Sequence, residues 1–168
     1  INLEGFGMPA TKPQQAGKRL VQWLDELKTP QRLAPYTDAP AVAARLMKNN
    51  PRQSPDRAAW LATQWGELRD DGRWHLRADP AHKRANPVLY RVDEVLATWQ
   101  AISAPLLWAE GANTDMTKWW GDRYPRAEFE QRLSVVPNVT RVMLDDCGHM
   151  LHHDQPERLA QVLCDFLR

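Results

Sequence analysis

Residues 145 to 160 read DDCGHMLHHDQPERLA and directly follow the apolar run VTRVML at 139 to 144. An apolar run of this length, bounded by turn residues, predicts a buried strand. Gly148 permits a sharp backbone turn after that strand, so His149 is expected at its C-terminal end. One interpretation is a surface histidine that Gly148 merely makes acceptable. The other is a general base, because a neutral imidazole in apolar surroundings can accept a proton.

Helix and strand patterns alternate from residue 91 to residue 168. Strands that are buried on both faces read as continuous apolar runs, and consecutive strand and helix units form parallel sheets. The sequence therefore predicts an α/β fold, whose last helix begins near a capping Asp154. The predicted elements are a helix in RVDEVLATWQAI, a strand in APLLWAEG, a helix in YPRAEFEQRLSVV, a strand in VTRVML and a helix in QPERLAQVLCDFLR.

Residues 10 to 90 follow another pattern, in which prolines separate short helices. QQAGKRLVQWLDELK, at 14 to 28, predicts an amphipathic helix that stops before Pro30. We expect this segment to be mainly helical, with fewer than two sheet strands and a short extended piece at 74 to 76. Two more helices are predicted to begin where a polar residue can accept an orphan N–H, at Asp38 with Pro40 and at Ser54 with Pro55.

The charge composition argues against several classes of partner. Lys and Arg number 22 against 21 for Asp and Glu, and these residues are scattered rather than clustered. No basic stripe indicates nucleic acid, and no stretch approaches membrane-spanning length, so a small molecule is the expected partner. The two cysteines, Cys147 and Cys164, have no disulfide or metal spacing, which favours a reducing compartment and a cytoplasmic location.

The three histidines at 149, 152 and 153 raise the question of a metal site. Zinc binding at such spacing needs the rings on one face of a helix, whereas His149 is expected on the turn before the helix. We therefore predict no metal. Cys147 is interpreted as a small buried side chain, because residues two apart on an extended turn point their side chains away from each other.

Two motifs resemble the last two strands of the α/β-hydrolase family. They are ISAPLLWAEG at 102 to 111 and CGHMLHHDQPERLA at 147 to 160, the second of which would carry the catalytic histidine. INLEGFGMP, at the start, is similar to the strand and turn that lead into the cap of these enzymes. The resemblance implies a core strand and turn at 1 to 9, a helical cap at 10 to 90, and the C-terminal part of the parallel core sheet at 91 to 168.

The nucleophile of this family lies on a G-x-S-x-G turn, and the sequence contains no such motif. Its three serines, Ser54, Ser103 and Ser134, stand at a helix start, in the turn before a strand and in a loop. We therefore expect the C-terminal half of an enzyme, without nucleophile or oxyanion hole. An incomplete parallel sheet would expose an unpaired edge. We accordingly expect a second polypeptide, or preceding residues of the same chain, to supply the earlier strands.

Two carboxylates are candidates for the acid that orients His149. Asp115 follows the next-to-last strand, where many members of the family carry this group, although it comes late in the loop. Glu4 is the rival, because LEGFGMP resembles the turn at which haloalkane dehalogenases place a glutamate. The alternatives are a solvated loop carboxylate for Asp115 and, for Glu4, a strand-end residue that binds the backbone N–H groups of its own turn.

The resemblance implies a hydrolase without a cofactor that cleaves ester-like bonds of a small apolar substrate, with His149 as general base for a serine outside this chain. An aspartate nucleophile would instead give haloalkane or epoxide chemistry. A third possibility is a fragment that only binds or pairs. The sequence contains eight tryptophans, of which Trp60, Trp65 and Trp74 are candidates to line an apolar substrate pocket.

Overall fold

A computed structural model of the protein describes residues 1–29 and 31–168, so Pro30 lies outside the described residues. The chain divides into two compact units. The core unit comprises Ile1–Pro13 and Tyr90–Arg168, and the helical unit comprises Gln14–Leu89. Within the described ranges, no helix combines the length and apolar character needed to span a membrane.

The described residues form five strands and eight α-helices. Short 3-10 helices also occur, at Pro13–Gln15, Pro80–Lys83 and Gly121–Arg123. In chain order the elements are β1 (Asn2–Leu3), α1 (Ala16–Lys28), α2 (Ala39–Asn49), α3 (Pro55–Trp65), β2 (Gly66–Leu68), β3 (Trp74–Leu76), α4 (Val92–Gln100), β4 (Leu106–Gly111), α5 (Thr117–Trp120), α6 (Arg126–Leu133), β5 (Val139–Leu144), α7 (Leu151–Asp154) and α8 (Pro156–Phe166).

The core unit contains a parallel sheet of three strands in the order β1-β4-β5. β4 pairs with β5 over its whole length, from Leu106 opposite Val139 to Gly111 opposite Leu144. The prediction of an α/β fold is confirmed, and β5 has the bounds of the apolar run VTRVML. Parallel strands end at the same edge of a sheet, so the residues after β1, β4 and β5 lie side by side.

Consecutive residues of β4 face opposite sides of the sheet and belong to different apolar clusters. Trp108 is fully buried on one side of the sheet, where it packs with Phe6 and Phe129. Ala109 packs on the other side with Leu144 and with residues of α7 and α8. Both faces of the central strand are therefore buried, which explains why its sequence reads as a continuous apolar run.

The helical unit is built as its capping residues predict. The Asp38 side chain accepts the backbone N–H of Ala41 at 2.8 Å, and the Ser54 hydroxyl accepts that of Arg57 at 3.3 Å. Each bond satisfies a donor that has no partner in the first helical turn. α2 and α3 then pack through buried small and branched residues: Val42, Ala43, Leu46, Ala58, Leu61 and Ala62.

The expectation of fewer than two strands in the helical unit is wrong. β2 and β3 form a two-stranded antiparallel sheet, with Glu67 opposite His75. Gly72 adopts a φ of 72°, and Asp71 accepts the backbone N–H of Arg73 at 3.0 Å. Asp-Gly is a turn signal that tightens a hairpin, so the predicted extended piece at Trp74–Leu76 acquires a partner strand from the residues before the turn.

The predicted capping of the last helix by Asp154 is also wrong. α8 begins at Pro156 after Gln155, which makes no capping bond with its side chain. Asp154 instead ends the single turn α7, and its carboxylate accepts the backbone N–H of Gly148 at 2.8 Å. It therefore closes the loop that carries His149 rather than starting the helix.

Candidate functional site

Glu4 is the first residue after β1, and its backbone turns sharply there. Its N–H donates to the carbonyl of Ala109 at 3.0 Å, which extends the pairing with β4 by one residue. Its φ is 60°, in the left-handed region that costs a residue with a Cβ about 1–2 kcal/mol. Glu4 is only 4 % exposed, so a charged side chain is held in a strained and buried position. Such positions concentrate at functional sites.

The carboxylate of Glu4 lies across the ends of the three strands. One oxygen, Oε1, accepts the N–H of Gly111 at the end of β4 and the hydroxyl of Thr114 at 2.9 Å. The other oxygen, Oε2, lies 3.0 Å from Nδ1 of His149. Three donors thus converge on the two oxygens, and the acid is fixed between the loop after β4 and the loop after β5.

The loop that carries His149 is held by hydrogen bonds to the loop after β4 and to α7. The carbonyl of Cys147 accepts the N–H of Asn113 at 2.9 Å, which joins the loops after β4 and β5. The side chain of His149 is 45 % exposed, although Glu4 beside it is buried. An ionised carboxylate only accepts, so the bond to Glu4 requires the proton on Nδ1. Nε2 then keeps a lone pair with which to accept a proton.

Gly111 allows the two loops to approach closely. A Cβ at this position would lie 2.4 Å from the carbonyl oxygen of Cys147 and 2.6 Å from that of Gly148. Both distances are far below any normal contact with carbon, and both involve backbone atoms that cannot rotate away. Only glycine therefore fits here without moving the turn that carries His149.

Asp115, the first candidate for the orienting acid, has other partners. Its Oδ1 accepts the backbone N–H of Thr117 at 2.9 Å and the Thr117 hydroxyl at 2.6 Å. These bonds, with the hydroxyl first, hold the pKa of the exposed Asp115 carboxyl below its ordinary value. Asp115 therefore stabilises the start of α5, and Glu4 is the carboxylate that the structure brings to His149.

Two residues of the site were not found by sequence reasoning. Thr114 supports Glu4, and the indole of Trp119 lies with its centroid 4.4 Å from that of the imidazole. Both belong to the segment between β4 and α6, where no periodic pattern marks an element. The Asp115–Met116–Thr117 sequence is a local signal for a helix start, but it does not indicate which way the following tryptophans face.

The three tryptophans predicted to line a pocket lie in the helical unit. Trp60 is 60 % exposed and lines an open cavity of about 470 Å³ together with Ser54 and Arg57. Trp65 is also exposed and borders a second cavity of about 480 Å³. Trp74 packs against the buried cluster of this unit, and its indole N–H donates to the carbonyl of Ala62 at 3.3 Å. These contacts give Trp74 a structural role within the unit.

The three clustered histidines do not converge on one point. The rings of His152 and His153 contact each other with centroids 4.2 Å apart, while His149 is turned toward Glu4. Among residues 1–29 and 31–168, no group of three His, Cys, Asp or Glu is placed to hold a metal ion. Cys147 is buried, Cys164 is exposed on α8, and neither forms a disulfide with the other.

A cluster of charges anchors the end of β4 beside the site. Glu110 is only 3 % exposed, and its two oxygens accept bonds from Arg126 at 2.6 and 2.8 Å. Glu130 accepts from Arg126 and also from Arg141, and the bond to Arg141 is the main reason that the pKa of Glu130 lies below its ordinary value. A buried carboxylate is tolerated only when it is paired in this way. The cluster ties α6 and β5 to the strand that ends at Gly111.

None of the three serines is placed as a nucleophile for His149: two precede strands at the opposite edge of the sheet, and the third caps a helix. Ser103 precedes β4 and Ser134 precedes β5, whereas His149 follows the opposite end of β5. Six strand residues span about 20 Å, too far for a hydrogen bond to the imidazole. The Ser54 hydroxyl caps α3 in the helical unit.

Comparison with known proteins identifies the fold. No protein-family model matches the sequence, and no curated protein matches it. Among solved structures, the thioesterase domain from the curacin biosynthetic pathway is similar with a TM-score of 0.76 at 21 % identity, over 94 % of this chain and 54 % of that one. An esterase from Mycobacterium tuberculosis gives 0.64 at 15 % identity, over 95 % and 52 %. An α/β-hydrolase from Novosphingobium aromaticivorans gives 0.54 at 17 % identity, over 97 % and 53 %.

The chain has an α/β-hydrolase fold. It spans about half the length of the solved structures that it matches, as the resemblance to a C-terminal half predicts. Within this α/β-hydrolase fold, the core unit gathers Glu4, Gly111 and His149 at the carboxyl ends of neighbouring parallel strands. Ligands of parallel α/β sheets bind at this edge.

Proposed function

We propose that the core unit supplies the histidine and the acid of a hydrolase that cleaves ester-like bonds of a small apolar substrate. The bond between Glu4 and Nδ1 of His149, 3.0 Å long, is the observation that carries this proposal. A buried carboxylate joined to a half-exposed imidazole leaves Nε2 available to an incoming proton donor. The same relation orients the base in Ser-His-acid catalysis.

The proposed reaction has two stages. A serine hydroxyl attacks the substrate carbonyl while Nε2 of His149 takes its proton, and the imidazolium is stabilised by Glu4. The leaving alkoxide then takes that proton back, and the acyl group remains on the serine. In the second stage His149 removes a proton from water, which attacks the carbonyl of the acyl-enzyme. The bond between the acyl group and the serine oxygen then breaks, the imidazolium returns its proton to that oxygen, and the carboxylic acid is released. Neither stage uses a cofactor.

The serine and the oxyanion hole are proposed to come from outside residues 1–168, either from a second polypeptide or from residues that precede Ile1. The edge of β1 supports this. Ile1 and Leu3 expose 55 % and 37 % of their surface, and they border an apolar groove of about 330 Å³ that also includes Trp99 and Leu106. An exposed strand edge beside an apolar groove is suited to pair with a further strand. We call the chain together with this added segment the native assembly.

The substrate class is proposed from the chemistry of the Glu4–His149 pair and from the similar solved structures. Two of the similar structures are a thioesterase domain and an esterase, both of which act on acyl bonds. The exposed tryptophans Trp60 and Trp65 of the helical unit offer apolar contact area to such a substrate. We therefore propose an apolar acyl or alkyl substrate, without nucleic acid or membrane as partner.

An aspartate nucleophile is the second candidate, and the position of the acid favours it. Glu4 directly follows β1 and lies beside His149. In the resemblance above, haloalkane dehalogenases place their glutamate just after the corresponding strand. His149 would then activate water against an alkyl-enzyme ester instead of taking a proton from serine. Haloalkanes or epoxides would replace esters as substrates.

A fluorophosphonate probe and p-nitrophenyl esters test the proposed function in the native assembly. We expect ester turnover and a covalent phosphonyl adduct on one serine outside residues 1–168, because only an activated serine reacts in this way. His149→Asn should remove both signals. Turnover of 1-bromobutane or of styrene oxide, without a serine adduct, would favour the aspartate nucleophile. No turnover of any of these substrates would favour a fragment that only binds or pairs.

The size of the protein tests the proposed assembly. Because β1 leaves one apolar edge exposed, we expect light scattering and intact mass spectrometry to show a second polypeptide bound to this chain, or a chain longer than 168 residues. A stable, monodisperse 168-residue monomer that unfolds cooperatively would contradict the proposal.

A further inference from the structure

Trp119 lies beside His149 but has no role in the proposed mechanism. Its indole contacts the imidazole of His149 with centroids 4.4 Å apart and planes at 64°. The same indole lies 6.2 Å from the ring of Phe6, which is buried two residues after Glu4. The imidazole is therefore held at Nδ1 by Glu4 and along its ring by Trp119.

One hydrogen bond does not fix an imidazole. A ring held by its Cβ–Cγ bond and by one hydrogen bond at Nδ1 can still tilt about the line that joins these two points, and the direction of the Nε2 lone pair moves with it. A catalytic group must be held within roughly 10–20° of its productive direction. An edge-to-face ring contact from a second side restricts this tilt. Such aromatic pairs are worth up to about tenfold in an equilibrium.

Trp119 can serve this purpose because its own position is fixed. The carboxylate of Asp115 accepts the N–H and the hydroxyl of Thr117 at the start of α5, and the backbone N–H of Trp119 donates to the carbonyl of Met116 at 3.1 Å. Met116 is 5 % exposed and belongs to the buried cluster around Trp108. The short helix is therefore anchored by Asp115 and by the buried side chain of Met116, and Trp119 projects from a defined turn.

Trp119 also keeps 40 % of its surface exposed although it touches a buried ring and the imidazole. An exposed indole next to a general base presents an apolar surface to whatever binds there. We propose that Trp119 is a positioning residue that fixes the plane of the His149 imidazole, and that its exposed surface forms a wall of the substrate site selecting an apolar group. This inference rests on the proposed hydrolase function.

Tryptophan fluorescence tests the ring contact without any turnover. A protonated imidazole in contact with an indole quenches its emission, so the native assembly should lose emission in a step as acid protonates His149. We expect the step to disappear in Trp119→Phe and in His149→Asn. Lys118→Ala, which changes an exposed neighbour on the same helix, should retain it. A step that persists in Trp119→Phe would overturn the ring contact.

Kinetics of the native assembly test positioning and selectivity. For Trp119→Ala we expect kcat on p-nitrophenyl acetate to fall about tenfold. The preference for p-nitrophenyl butyrate over the acetate, measured as a ratio of kcat/KM, should fall as well. Trp119→Phe should restore most of kcat, and Lys118→Ala should change neither quantity. Unchanged kcat and unchanged preference in Trp119→Ala would overturn the proposal.

The two measurements separate this inference from the function on which it rests. If the unmodified assembly hydrolyses no ester, the proposed function fails, yet the fluorescence step still decides whether Trp119 contacts His149. If the assembly hydrolyses esters and Trp119→Ala behaves like Lys118→Ala, the function stands and the role of Trp119 is refuted.

Discussion

Glu4→Gln is expected to lower kcat on esters by about 10⁴-fold in the native assembly, the loss seen when a triad acid becomes an amide. The hydrogen bonds of Glu4 give the reason. The N–H of Gly111 only donates, so the oxygen of the introduced amide must take the place of Oε1 beside it. The amide NH₂ then faces Nδ1 of His149 and donates to it. This forces the imidazole proton onto Nε2, which can no longer accept the proton of a nucleophile.

Asp115→Asn is the matched control for that experiment. Its Oδ1 can still accept the N–H and the hydroxyl of Thr117, so α5 should keep its start and kcat should change by less than about threefold. Near-ultraviolet circular dichroism of both variants checks that the fold is intact. A large loss in Asp115→Asn together with normal activity in Glu4→Gln would show that the orienting acid is Asp115 instead.

Gly111→Ala is expected to destabilise the native assembly by about 3 kcal/mol, near the upper end of the usual cost of overpacking. The new Cβ would meet the carbonyl oxygens of Cys147 and Gly148 at 2.4 and 2.6 Å. Relief requires the loop of His149 to move away from β4, which also separates the imidazole from Glu4. A displacement of about 1 Å at a catalytic group can cost about 10²-fold in rate, so kcat should fall as well.

Urea unfolding, followed by circular dichroism, measures the loss of stability in Gly111→Ala. Gly17→Ala serves as the control, because a Cβ at Gly17 in α1 meets nothing within 4 Å. Alanine favours a helix over glycine by about 1 kcal/mol, so this variant should be as stable as the unmodified protein or slightly more stable. Equal unfolding midpoints for the two variants would contradict the close approach at Gly111.

Local patterns in the sequence were sufficient for most of the helices and strands. β5 has the bounds of its apolar run, and β4 lies inside APLLWAEG, because strands buried on both faces are marked by unbroken apolar residues. Asp38 and Ser54 start α2 and α3 as predicted, since a capping bond spans only three residues. The position of His149 after the last strand followed from Gly148 and the same local logic.

Local patterns failed where an element depends on its partner. The strand β2 is only three residues long and acquires its pairing through the turn at Asp71 and Gly72. The helix α5 has four residues, too few to show a periodic apolar face. Asp154 resembles a capping residue in the sequence, but the nearby N–H of Gly148 takes its carboxylate.

The sequence by itself determined the positions of β4 and β5, the starts of α2 and α3, and the histidine at the end of the last strand, because each of these depends on residues within a few positions of one another. Only the tertiary structure decided between the two acids and added Trp119 to the histidine. Glu4 and His149 are 145 positions apart, and their bond exists because β1, β4 and β5 run parallel and end at one edge. Asp115 is nearer in sequence, yet the hydroxyl and N–H of Thr117 satisfy its carboxylate first.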